Sequence, residues 1–116
     1  MTTTPTIDLA TFRDLEAAAG AEFVRELVDT FFEEAPAMIG ELRASLAARD
    51  AEKFRRTAHS LKSNSNTFGA LRLGAMAREL ELGGLPASAE SGGERIGALE
   101  REYSLVVAAL KELRNA

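Results

Sequence analysis

The sequence predicts an all-α protein: an antiparallel up-and-down four-helix bundle with a short extra N-terminal helix. Three observations predict it. Ala, Leu, Glu and Arg are abundant among the 116 residues, and these are strong helix formers. Apolar residues recur at three- and four-residue spacing, while no segment alternates apolar and polar residues long enough to argue a strand. The helical stretches carry one apolar stripe each and are joined by short connections, a pattern that packs as an antiparallel bundle.

The first helical piece runs from about Asp8 to Ala18, with Asp8 as N-cap and Gly20 near its end. The second spans Ala21 to Ala48. Its stripe is read as Phe23, Leu27, Phe31, Ala35, Met38, Leu42 and Leu46. Pro36 removes one backbone hydrogen bond there and should bend the helix without ending it. Asp50 caps the third helix, which continues to Thr67 and stops at Gly69. The fourth runs from Ala70 to Leu82 and ends at Gly83-Gly84 and Pro86. Residues 86–93 are small and polar, hence a loop. Ser91 and Glu94 then read as a capping box opening the last helix, Glu94 to Arg114. Its stripe is Ile96, Leu99, Tyr103, Val106, Leu110 and Leu113. Residues 1–6 read as a flexible N-terminal arm and 7–116 as one helical domain.

Composition narrows the function classes. There is no cysteine, which excludes disulfides and thiolate metal sites and suits a reducing compartment. No apolar run approaches a membrane span, and MTTTPT lacks the basic and apolar regions of a signal peptide. The expected location is cytoplasmic, with no membrane partner. Net charge is −4, unevenly spread. Residues 1–52 hold eleven acids and four bases, residues 53–78 hold six bases and no acid, and residues 79–116 hold seven acids and four bases. One basic segment thus lies in an acidic protein. Overall acidity and the scarcity of aromatics in that segment, where Phe54 lies on the core face and Phe68 also looks buried, argue against a nucleic-acid partner.

The only histidine, His59, lies inside that basic segment. At about 100° per residue, Phe54, Ala58, Leu61, Ser65 and Phe68 share one face, and His59 points about 140° away from Phe54. Its surface neighbours are Arg55, Arg56, Lys62, Ser63 and Asn66. The expectation is an exposed imidazole ringed by positive and hydrogen-bonding groups and free of nearby acid. A ring packed inward among leucines, or tied up by a glutamate from another segment, would end the reading below. Ser65 is assigned no chemistry; its hydroxyl should bond back to the Leu61 carbonyl.

Such a ring is a nucleophile near neutral pH, and flanking cations favour its neutral form. The same cations would stabilise a phosphoryl group bound to it. Lys62 would reach the phosphoryl oxygens, Ser63 and Asn66 would donate hydrogen bonds, and Arg55 would add charge. A serine–histidine hydrolase needs an acid to orient the histidine, and none lies between Lys53 and Arg78. One histidine in a basic neighbourhood suits neither zinc nor a di-iron bundle. No phosphate-binding glycine loop is present, so no nucleotide site is expected. No metal and no cofactor are expected.

The stretch AHSLKSNSNTFGA, Ala58 to Ala70, closely resembles the signature of histidine phosphotransfer (HPt) domains, roughly A-H-x-L-K-G-x-x-x-x-x-G-A. The upstream FFEEAPAMIGELRASLAARDAEKFRRTAHSLK resembles the family's lead-in helix and turn. The resemblance implies that His59 is the phosphoacceptor, Lys62 the stabilising base and Gly69 the turn glycine. Ser63 departs from the glycine common at that position. It also implies a phosphoryl carrier rather than an enzyme, relaying phosphate between a hybrid sensor histidine kinase and a response-regulator receiver domain. The catalytic groups and the magnesium would sit on the receiver alone. A basic rim around His59 is complementary to a receiver's carboxylate cluster. Phe32 and Ile39, at or beyond the edge of the second helix's stripe, are expected to dock the receiver together with Arg56. The alternative is a helical interaction module that binds a receiver or kinase without transferring phosphate.

Overall fold

The computed structural model describes residues 6–115. They form five helices: α1 (Leu9–Ala19), α2 (Ala21–Ala48), α3 (Ala51–Thr67), α4 (Leu71–Gly83) and α5 (Ala89–Asn115). No strand occurs among the described residues. Most of the expected arm, residues 1–5, lies outside them. No helix is long and apolar enough to cross a membrane.

Local chemistry sets most helix ends. The Asp8 carboxylate accepts from the Thr11 amide at 3.2 Å, and Asp50 does the same for Lys53 at 3.1 Å. Pro36 sits inside α2, which continues past it. The last helix differs from its expected start. It begins at Ala89, five residues before Glu94, and Ser88 Oγ accepts from the Ser91 amide at 3.1 Å in place of the expected capping box. Packing explains the extension. Gly92 lies against Leu46 and Pro86, an approach that only a residue without a side chain allows, and Arg49 ties down the Pro86 carbonyl at 3.0 Å.

Helix α2 packs against α3 and α5, α4 packs against the same two, and α1 lies on α2 and α3. The core joins all five, through Phe12, Val28, Leu42, Phe54, Leu73 and Leu99 among others. Phe31 anchors an aromatic group, with Phe68 at 5.3 Å and Tyr103 at 5.8 Å between ring centres. The buried stripe of α2 is Val24, Val28, Phe31, Ala35, Ile39, Leu42, Ser45 and Leu46. That corrects the expected stripe: Phe23 is exposed, while Leu27 and Met38 are partly buried at its edge. Two apolar residues per turn leave two ways to draw a line along α2, and contact with α5 selects the one through Ile39.

Candidate functional site

Helix α3 presents the site. Phe54, Ala58, Leu61 and Ser65 are fully buried and Phe68 nearly so, as the helical spacing predicted. The Ser65 hydroxyl donates to the Leu61 carbonyl at 2.7 Å. The helix ends at Gly69, whose φ of +85° is a left-handed conformation that favours glycine. A Cβ there would also lie 2.7 Å from the Asp8 carbonyl, because α1 is seated on this turn through a 2.8 Å hydrogen bond from the Asp8 amide to the Gly69 carbonyl.

His59 projects outward from this frame with its side chain 55% exposed. The expectation of a ring free of acid is overturned. His59 Nδ1 lies 2.6 Å from Glu81 Oε2 on α4, and Lys62 Nζ lies 3.0 Å from Glu81 Oε1. The Lys62 ammonium, foremost, and the His59 contact hold the Glu81 carboxyl below its ordinary range, with burial opposing them. An ionised carboxylate only accepts hydrogen bonds, so Nδ1 donates. The neutral ring then carries its lone pair on Nε2. A glutamate from another segment does tie up one ring nitrogen, the outcome expected to end the reading. That condition is too strict, because it overlooks that a ring held at Nδ1 still has Nε2 for a partner.

Glu81 also supplies the orienting acid that the basic segment lacks. A hydrolase would need, in addition, a hydroxyl on the other ring nitrogen. Among the described residues the only hydrogen bond made by the His59 ring is the one Nδ1 donates to Glu81. No group of three or more His, Asp or Glu side chains is placed to hold a metal ion among the described residues.

The remaining expected site residues divide. Lys62 joins His59 at Glu81. Arg55, Ser63 and Asn66 are exposed on α3. Asn66 lies about 10 Å further along the helix axis than His59, with its amide against Gly74 of α4, so it is not gathered at the ring. Arg56 lines a groove between α2 and α3 of about 270 Å³ with Met38, Glu41, Lys53, Thr57 and Ser60. Ile39 is a correction. It is buried in the core and borders a groove shared with α5 residues Glu100, Tyr103 and Ser104, so it offers a partner little surface. Phe32 is partly buried, with the Arg114 guanidinium of α5 5.4 Å above its ring. Both face α5 instead of α3.

Sequence reasoning missed Glu81, yet a signal existed. Residues 59 and 81 lie equally far from Ala70, and so do 66 and 74. In a tight hairpin of antiparallel helices, residues equidistant from the turn face each other. Counting outward from Ala70 would have placed Glu81 opposite His59.

Comparison with known proteins shows the family and the fold. A family model described as "Hpt domain" matches residues 26–116. The crystal structure of histidine-containing phosphotransfer protein B (HptB) from Pseudomonas aeruginosa PAO1 superposes with a TM-score of 0.81 at 31% identity, covering 97% of each chain. No curated protein matches the chain.

Proposed function

The chain belongs to the family of histidine phosphotransfer (Hpt) domains, and from that premise we propose that it relays phosphate through His59. Its role is histidine phosphotransfer in phosphorelay signalling. The phosphoryl group comes from a hybrid sensor kinase, or an aspartate of its receiver, and passes to a response-regulator receiver in the cytoplasm. Residues 7–116 act as one domain, with the four longer helices as an antiparallel up-and-down bundle and α1 over one end. The observation that carries this reading is the ring itself: exposed, with Nδ1 held by Glu81 and Nε2 without a partner among the described residues.

Transfer from a phosphorylated receiver aspartate balances as follows. The Nε2 lone pair attacks phosphorus, an N–P bond forms, and the acyl P–O bond breaks to release the carboxylate. The ring becomes a cation with its proton still on Nδ1, where the Glu81 carboxylate stabilises it. Lys62 and Arg55 lie on the same side of α3 as His59 and balance phosphoryl charge. Ser63 is small enough to let the receiver approach, and Asn66 extends the polar contact. On this reading the chain needs no nucleotide site of its own, and magnesium and the catalytic carboxylates would be the receiver's. Arg56 and its groove, with the accessible edge of Phe32, contribute to docking.

The test is transfer from a phosphorylated receiver. Acid-labile, base-stable label should appear on the wild-type chain and vanish in His59→Gln. Label that persists in that variant rejects His59 as acceptor. A folded wild type that binds receivers and takes no label would be an interaction module instead.

A further inference from the structure

We propose that Lys62 changes partner when His59 is phosphorylated: it leaves Glu81 for the phosphoryl oxygens, and the imidazolium replaces it on Glu81. This rests on the reading of His59 as phosphoacceptor and adds a charge rearrangement to it.

In the free protein one carboxylate serves two groups. His59 Nδ1 is 2.6 Å from one Glu81 oxygen and Lys62 Nζ is 3.0 Å from the other. A neutral imidazole offers Glu81 a hydrogen bond but no charge, so Lys62 alone neutralises it. Bonding of Nε2 to phosphorus changes the count. The ring gains a positive charge already in contact with Glu81, and the phosphoryl group brings nearly two negative charges. Left on Glu81, Lys62 would make two cations share one carboxylate. Moved to the phosphoryl group, it leaves each anion with a cation.

The geometry permits the exchange. Lys62 is three residues beyond His59, a neighbour on the helix surface. Its ammonium rides on a flexible four-carbon stem, and its side chain is 22% exposed. The Lys62 ammonium stands 3.0 Å from Glu81 Oε1 without an aligned hydrogen bond to it, and the imidazolium already on Oε2 would take over its charge. The rival arrangement keeps Lys62 on Glu81 and lets exposed Arg55, four residues before His59, meet the phosphoryl group.

The two arrangements differ in how Lys62 and Glu81 couple. With exchange, their attraction exists in the free protein and is absent from the phosphorylated one. Each single substitution then relieves a free-state contact as well as weakening the phosphorylated state. The double substitution counts that relief once, not twice. Lys62→Met/Glu81→Gln should therefore lower the phosphorylation equilibrium constant below the product of the single effects. The shortfall should be about two- to fivefold, the size typical of a partly exposed ion pair.

The full-length chain is equilibrated with phosphoramidate at a fixed ratio to ammonium, and phosphohistidine is counted by ³¹P NMR. The P–N bond of phosphoramidate breaks, ammonia leaves, and Nε2 takes the phosphoryl group. Single effects that simply multiply in the double variant overturn the exchange. Wild-type NMR gives a second reading that needs no variant to fold: the Lys62 ammonium ¹⁵N resonance should move on phosphorylation, and an unmoved resonance overturns the exchange. Absence of label in the wild type, or label surviving His59→Gln, rejects the phosphoacceptor reading and the inference with it. Label confined to His59 with multiplicative singles rejects the inference alone.

Discussion

The side-chain amide of Asn66 lies directly over Gly74, in the space where any other residue would carry its Cβ. The two stand equally far from the α3–α4 turn and mark the line along which these helices meet. Gly74→Ala would drive Asn66 aside. The displaced atoms are the end of an exposed side chain, which swings into solvent at little cost. A helical alanine also gains about 0.5–1 kcal/mol over glycine. Gly74→Ala should therefore hold stability within about 1 kcal/mol of wild type while shifting the Asn66 side-chain amide resonances. A cooperative loss of several kcal/mol in urea unfolding would show that the helices had been forced apart.

Gly92 makes the opposite case. A Cβ there would come 2.6 Å from Leu46 Cδ2 and 3.1 Å from Pro86 Cγ. Leu46 is only 6% exposed and has nowhere to go. Gly92→Ala should cost about 1–3 kcal/mol through overpacking, read as a lower urea midpoint. An unchanged midpoint would mean that α5 does not approach α2 this closely.

Ile39 and Phe32 should separate by phenotype. Ile39→Ala removes core volume and should cost about 2–5 kcal/mol, with transfer kinetics intact in whatever protein remains folded. Phe32→Ala should fold and slow transfer if its accessible edge contacts the receiver. Transfer at wild-type rate by folded Phe32→Ala would remove it from the docking surface.

The Glu81 carboxyl is held below its ordinary value of 4.5, first by Lys62. A depressed folded-state value means a contribution fully present above pH 4.5 and lost as pH falls through the folded value. The stability difference between wild type and Glu81→Gln should be flat near neutrality and shrink only below that pH. A difference that instead shrinks on going alkaline from neutrality would contradict the assignment. Tyr103 runs the other way. Burial raises its phenol above 10.0, so its contribution is present below that pH and lost as pH rises through the folded value. Tyr103→Phe should reduce the alkaline loss of stability.

Helix positions and the core face of α3 were legible because their causes are local. Asp50 caps its own helix, Gly69 stops it, and the burial of Phe54, Leu61 and Ser65 follows from 3.6-residue periodicity. The start of α5 was not legible. Its first turn is fixed by Gly92 meeting Leu46, a contact across 46 residues that no capping pattern encodes.

What the sequence determined by itself was an outward-facing His59 on a capped helix, with Lys62 one turn on, because a helix converts spacing into direction without help from other segments. What only the tertiary structure decided was the acid at that ring. Glu81 is 22 residues away, and it reaches Nδ1 because the packing of α3 against α4 sets their register. The same packing decision on α2 turned Ile39 into the core and Phe32 toward α5, since a helix with two apolar edges takes its buried face from its neighbours.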